Sequence, residues 1–110
     1  MKSVYLNIPS LNQFMHECKE KDIAEIRLLD IIDVSYSQLG IPFGKFVIIL
    51  TANYKNSVIL KYEEKVVSGI IFDENTKEKL LKKLKERVAE IVKELKDKGF
   101  EVRLGQYSFE

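Results

Sequence analysis

The chain has no tryptophan, one histidine, one cysteine, two prolines and five glycines among its 110 residues. Each shortage closes a route. Cys18, alone, can form no internal disulfide and has no cysteine partner for a zinc site. With His16 alone, a Ser-His or Cys-His mechanism would have to be built around that single imidazole. On a helix the two residues diverge by about 200°, so they cannot share a metal or act as nucleophile and base. No apolar stretch approaches the ~18 residues of a membrane span and no apolar run follows Met1, so the chain is expected to be cytoplasmic with no membrane partner. Charge of one sign is missing too: 18 basic residues face 17 acidic ones. No global field therefore draws in a polyanion, and any nucleic-acid reading rests on local clustering.

What is present is an ordinary core composition. Hydrophobic residues at 45% and charged residues at 32% exclude disorder. The length suits a single domain over residues 1–110. Lys outnumbers Arg fifteen to three, Glu outnumbers Asp twelve to five, and Gln is scarce. That balance is associated with the ion-pair surfaces of hyperthermophile proteins, so a thermophilic, archaeal source is expected.

Phe46 to Ala52 is the segment in which both alternating faces are apolar: Phe46, Ile48, Leu50 and Ala52 leave one side, Val47 and Ile49 the other. Such a strand belongs in the middle of a sheet. Before it, Val4 to Ile8 alternates as a half-buried strand ended by Pro9. Ser10 and Gln13 form a capping box for a short helix with Leu11, Phe14, Met15 and Cys18 on one stripe, which makes Cys18 a buried structural thiol. Asp22 with Glu25 fits a second capping box. Even so, the β-branched run Ile31 to Ser37 favours one long strand over residues 23–38, bent at Asp30, over a short helix followed by a strand.

Gly40-Ile-Pro-Phe-Gly44 reads as a turn and Tyr54-Lys-Asn56 as another. Val58 to Tyr62 and Val66 to Phe72 read as two strands joined by a tight Glu63-Glu-Lys65 connection. Asn75 with Glu78 would cap a long amphipathic helix over Asp73 to Lys98, with Gly99 as its left-handed stop and Phe100 folding back. A last strand runs from Glu101 to Phe109, with Val102 and Leu104 inward, a bulge at Gly105, then Tyr107 and Phe109. The order β-α-β-β-β-β-α-β specifies an α+β domain. Its mostly antiparallel sheet of five to six strands packs against a long C-terminal and a short N-terminal helix.

No catalytic set, metal site or cofactor is expected. Asp30 and Asp33 with Glu63, Glu64 and Lys65 loosely resemble a metal-dependent nuclease site, in which carboxylates hold magnesium and Lys steadies the attacking hydroxide. That family carries its Glu-x-Lys within a strand, whereas Glu63 and Lys65 read as a hairpin turn here. The alternative is that Asp30 marks a bulge or a strand edge defended by charge. Lys82, Lys85, Lys93 and Lys96 share one arc of the long helix and would neutralise a few phosphates, or would be a solvated face laced by pairs such as Lys82 with Glu86 and Lys93 with Asp97. If the long helix covers one sheet face, Val47, Ile49, Val67 and Ile71 on the other need a second cover. Either the short helix supplies it or the face is a subunit interface. The expectation is a homodimeric, non-enzymatic interaction module, with nucleic-acid binding and a small nuclease-like enzyme as alternatives.

Overall fold

The computed structural model describes residues 3–105. Five strands and two helices follow in the order β1 (Val4–Asn7), α1 (Leu11–Glu20), β2 (Glu25–Tyr36), β3 (Pro42–Tyr54), β4 (Val58–Ile70), α2 (Glu74–Asp97) and β5 (Glu101–Leu104). They form one mixed sheet of order β1-β4-β3-β2-β5. The long pairings, β2 with β3 and β3 with β4, are antiparallel. The short outer pairings, β1 with β4 and β5 with β2, are parallel. The α+β succession is as expected from sequence, with β3 at the centre. Among the described residues no helix is long and apolar enough to cross a membrane.

One expected boundary is absent. Glu63-Glu64-Lys65 is no turn: β4 runs through it as a single strand, with a register shift opposite Phe46 and Val47. The extra residue of the bulge, Val66, lets the chain stay in the sheet while its side-chain alternation changes phase. After the shift Val67 lies opposite Phe46, Gly69 opposite Gly44, and a β-carbon on Gly69 would meet Leu80 of α2 at 3.6 Å. Val67, Gly69 and Ile71 therefore face the helices. A β-carbon on Gly44 would strike the Ile71 side chain and lie 3.0 Å from Phe46 Cε1, so this crossing is built for glycine.

Both helices lie on one side of the sheet. Phe14 of α1 packs its ring 6.4 Å from that of Tyr62, Arg87 of α2 reaches Glu64, and Tyr62 and Glu64 are two apart on β4. One buried cluster joins Phe14 and Cys18 of α1, Leu84, Ile91 and Leu95 of α2, and the sheet residues Ile26, Leu28, Phe46, Ile48, Leu50 and Leu60. The 24 residues of α2 span about 36 Å and touch β4, β3 and β5, a diagonal course across the sheet. Among the described residues, that course leaves the far end of β2 without cover on the helix side.

The helix ends explain several local differences. Ser10 caps α1 through Gln13 N–H at 3.1 Å, as its spacing predicts. The cap of α2 is Asp73, whose Oδ1 accepts from Thr76 N–H at 2.8 Å, two residues before the expected Asn75. Gly99, at φ +91°, ends α2 with Phe100 N–H donating to Leu95 O. The same paired bonds end α1, where Ile23 N–H donates to Cys18 O and Asp22 N–H to Lys19 O. Asp22, at φ +58°, is thus the stop of α1 rather than the cap of a second helix. From Glu25 to Tyr36 the chain is strand throughout, without a bulge at Asp30, because Ile26, Leu28, Asp30, Ile32, Val34 and Tyr36 share one parity and keep an unbroken register with β3.

Gly40, at φ +79°, lies in the turn between β2 and β3, but Pro42 to Gly44 already belong to β3. Ser37 Oγ accepts from the N–H groups of Leu39 and Ile41 and fixes that turn. Neither outer strand is buried as the alternation suggests. β1 is exposed along its length, and of the expected pair in β5 only Val102 packs on the core while Leu104 is exposed. Short edge strands have a neighbour on one side only, and α1 does not extend over β1. Tyr107 and Phe109 lie outside the described residues.

Candidate functional site

With both helices on one side, the other face of the sheet has no cover among the described residues. Its side chains form rows across the strands. One row runs Lys61, Thr51, Arg27, Arg103 over β4, β3, β2 and β5. The next holds Glu63, Ile49 and Leu29, and the next Lys65, Val47 and Ile31. Of the four residues expected to share an open face, Val47 and Ile49 are on it, and Val67 and Ile71 are on the helix side and pack against the core. Val47 is only 4% exposed, so it has little left to bury.

Apart from Val4, Tyr5, Leu6 and Leu104 on the edge strands, the large exposed apolar residues among those described gather at the far end of the meander. Ile32, Val34 and Tyr36 project on the helix side of β2, Phe43 and Ile70 on the open side, Leu39 from the turn, and Phe72 just after β4. Ile71 N–H donates to Pro42 O at 2.9 Å, which brings Phe72 beside that turn. Their exposures run from 38% at Ile32 to 89% at Leu39. Spread over both faces and the turn at this end of the sheet, they present about 600–700 Å² of side-chain surface in all. Beyond Leu28, where β5 ends its pairing, β2 has no neighbour on that side among the described residues. Asp30 stands at the start of that edge, in keeping with a charge-defended edge rather than a bulge.

Asp30, Asp33 and Glu63 border one shallow pocket together with Lys45, Val47 and Ile49, but their carboxylates do not converge on a point within it. Asp30 and Asp33, three apart on β2, leave opposite faces. Glu63 shares the open face with Asp33, but two strands and four residues separate them, on the order of 15 Å. Although Glu63 and Lys65 do sit within a strand, no group of three or more His, Cys, Asp or Glu residues among the described residues is placed to hold a metal ion. Glu64 points the other way into a structural clamp. Arg87 holds it with Nε at 2.6 Å and Nη2 at 2.9 Å, and Tyr62 Oη donates to it at 2.8 Å. The guanidinium keeps the Glu64 carboxyl below the usual carboxylate range, and burial together with Glu64 pushes Tyr62 up to about 12. This pins α2 to β4.

Lys82, Lys85, Lys93 and Lys96 are all exposed on α2. Lys93 pairs with Asp97 at 3.0 Å. His16 is exposed, 3.5 Å from Glu20. Cys18 is fully buried, and burial pushes its thiol up to about 11.

A second feature of the open face was not anticipated. At the end near β1 and β5 a trough of about 470 Å³ crosses all five strands, from Tyr5 past Ile59, Asn53, Thr51 and Arg27 to Arg103. Four strand spacings make it about 19 Å long. Arg27 and Arg103, which line it, are direct neighbours across β2 and β5, with Glu25 and Glu101 as the next pair on the same face. The two arginines alternate with apolar residues inside strands, the one signal in the sequence that sets them on this face. No family model, no curated protein and no solved structure matches the chain.

Proposed function

We propose that the protein is a cytoplasmic, non-enzymatic interaction module that pairs with a second copy of itself through the far end of the β2–β3–β4 meander. The observation that carries this reading is the cluster of seven exposed apolar residues there, from Ile32 to Phe72. Two arguments favour a second copy as the occupant. The surface available per molecule is near the ~800 Å² that one side of a standard interface buries. The end is also self-complementary. It carries exposed apolar side chains at Tyr36 and Leu39 around the turn and at Ile32 and Val34 along β2. A two-fold axis sets the first pair of one copy against the second pair of the other. The Lys- and Glu-rich surface supports a thermophilic source for the pair.

Light scattering across a chromatographic peak tests the proposal. The wild-type chain should have a dimer's mass that is indifferent to salt. Leu39→Lys with Phe72→Lys should give a monomer with unchanged circular dichroism. A wild-type monomer at every concentration, or a dimer untouched by the double change, overturns it.

A further inference from the structure

The far end of β2 offers backbone as well as apolar side chains. In a strand the N–H and C=O of one residue leave the same side, and successive residues alternate. Glu101 N–H donates to Ala24 O and Gly105 N–H to Leu28 O, so the even-numbered residues of β2 turn their backbone groups away from β3. Beyond Leu28 those residues are Asp30, Ile32, Val34 and Tyr36, and no strand among the described residues pairs with them on that side. Asp30 defends the start of this edge. From Ile31 to Tyr36, however, there is no proline, lysine or bulge of the kind that keeps other strands off. The one charge there, Asp33, stands on the open face opposite Lys45 of β3. Ile32, Val34 and Tyr36 thus carry both outward backbone groups and exposed apolar side chains on the helix side. The helices lie mainly against β3, β4 and β5, so neither stands over that row.

An extended edge accepts a strand through its backbone, and the side chains choose which strand. A second β2, antiparallel about a two-fold axis perpendicular to the sheet, uses the same residues on both sides. Only registers that set even-numbered residues opposite one another bring the outward groups together. Centred on Asp33, the pair would hold two Asp33 carboxylates directly opposite, which like charges resist. Centred on Ile32, it would set Tyr36 against Leu28, which β5 already pairs. Centred on Ser35, it would set Ile32 against Gln38 in the turn. The register centred on Val34 avoids all three. Val34 meets Val34, Ile32 meets Tyr36 on either side of the axis, and Asp33 meets Ser35. About six backbone hydrogen bonds form across the axis, and the apolar rows of the two copies merge into one stripe.

We propose, building on the self-pairing reading above, that two copies join edge to edge, β2 antiparallel to β2 with Val34 on the two-fold axis. The two sheets then run on as one, with the helices of both copies on the same side.

Disulfide trapping in the full-length chain tests the register. Under mild oxidation Val34→Cys should cross-link, because residues bonded opposite one another lie about 5.5 Å apart at Cα. Tyr36→Cys should not, since its counterparts stand about 13 Å apart along the strands. Wild type is the control, its Cys18 being fully buried. Val34→Pro removes an N–H that points away from β3, so the chain should keep its circular dichroism while the dimer weakens by about 100-fold, each loss entering twice across the axis. Hydrogen exchange in wild type supplies a readout without any substitution. The amides of Ile32, Val34 and Tyr36 should be protected at high protein concentration and exchange freely on dilution, whereas a dimer held by side chains alone leaves them exchanging at every concentration. A light-scattering dimer in which Val34→Cys fails to cross-link, or in which these amides stay unprotected, overturns the edge pairing and leaves the self-pairing reading standing. A monomer at every concentration overturns both. Protection of the three amides in a monomer assigns the edge to the chain's own residues, and preferential cross-linking of Tyr36→Cys assigns the dimer another register; either overturns the proposal.

Discussion

Replacing Arg87 by Met should loosen the long helix from the sheet. Met keeps the aliphatic stem that lies against the core and deletes only the guanidinium. Two charge-assisted bonds to Glu64 are lost, at 2.6 and 2.9 Å, from side chains that are 30% and 20% exposed. Glu64 stays ionised with Tyr62 as its one remaining donor. Hydrogen bonds to charged groups contribute about 1.5–3 kcal/mol in such settings, and partial exposure puts this case near 2 kcal/mol. For a domain of this size that lowers the melting temperature by about 8 °C.

The pH dependence carries the sharper test. The folded-state pKa of Glu64 is depressed, so its contribution is complete above the unfolded value near 4.5 and fades as pH falls through the folded value. Denaturant unfolding of wild type and Arg87→Met should therefore differ by a constant amount from neutral pH to about 4.5 and converge below it. Removing both partners, as Glu64→Leu with Arg87→Met, should recover part of the loss. A cost under about 0.5 kcal/mol, or one that does not change with pH, would refute the clamp.

Other expectations follow from single contacts. Gly44→Ala should destabilise by about 1–3 kcal/mol in denaturant unfolding, since the new methyl meets Ile71 and Phe46, and Ile71→Val in the same chain should restore part of it. Asp22→Gly should stabilise by up to about 1 kcal/mol in the same assay by relieving a left-handed residue in the stop of α1. Cys18, buried and with its thiol pushed up to about 11, should resist a thiol reagent in the native protein and react fully in denaturant.

Much of the architecture was legible because it rests on short-range rules. The two-sided apolar run at Phe46 to Ala52 marks the central strand, the stripe on each helix marks its buried side, and Ser10 and Gly99 mark helix ends through local hydrogen bonds. The misread features are those where neighbours decide. Glu63-Glu64-Lys65 has turn composition, yet it is held in β4 because Arg87, 23 residues on, neutralises Glu64. One bulge then transfers Val67 and Ile71 to the face opposite Val47 and Ile49. Which side each helix takes is absent from either helix's own pattern, since an amphipathic stripe says that a face is buried but not where. The candidate surfaces were missed for related reasons. Leu39 and Phe72 are exposed apolar residues just outside the strands, and no local rule says what they pack against. Arg27 and Arg103 become neighbours only through the pairing of β2 with a strand from the far end of the chain.

That pairing has a kinetic side. The antiparallel meander is closed by two short links and can form early, whereas Val4 must find Val58 across about half of the sequence and Glu101 must find Glu25 across about two thirds. The outer strands are thus expected to dock last in folding and to release their amide hydrogens first in exchange.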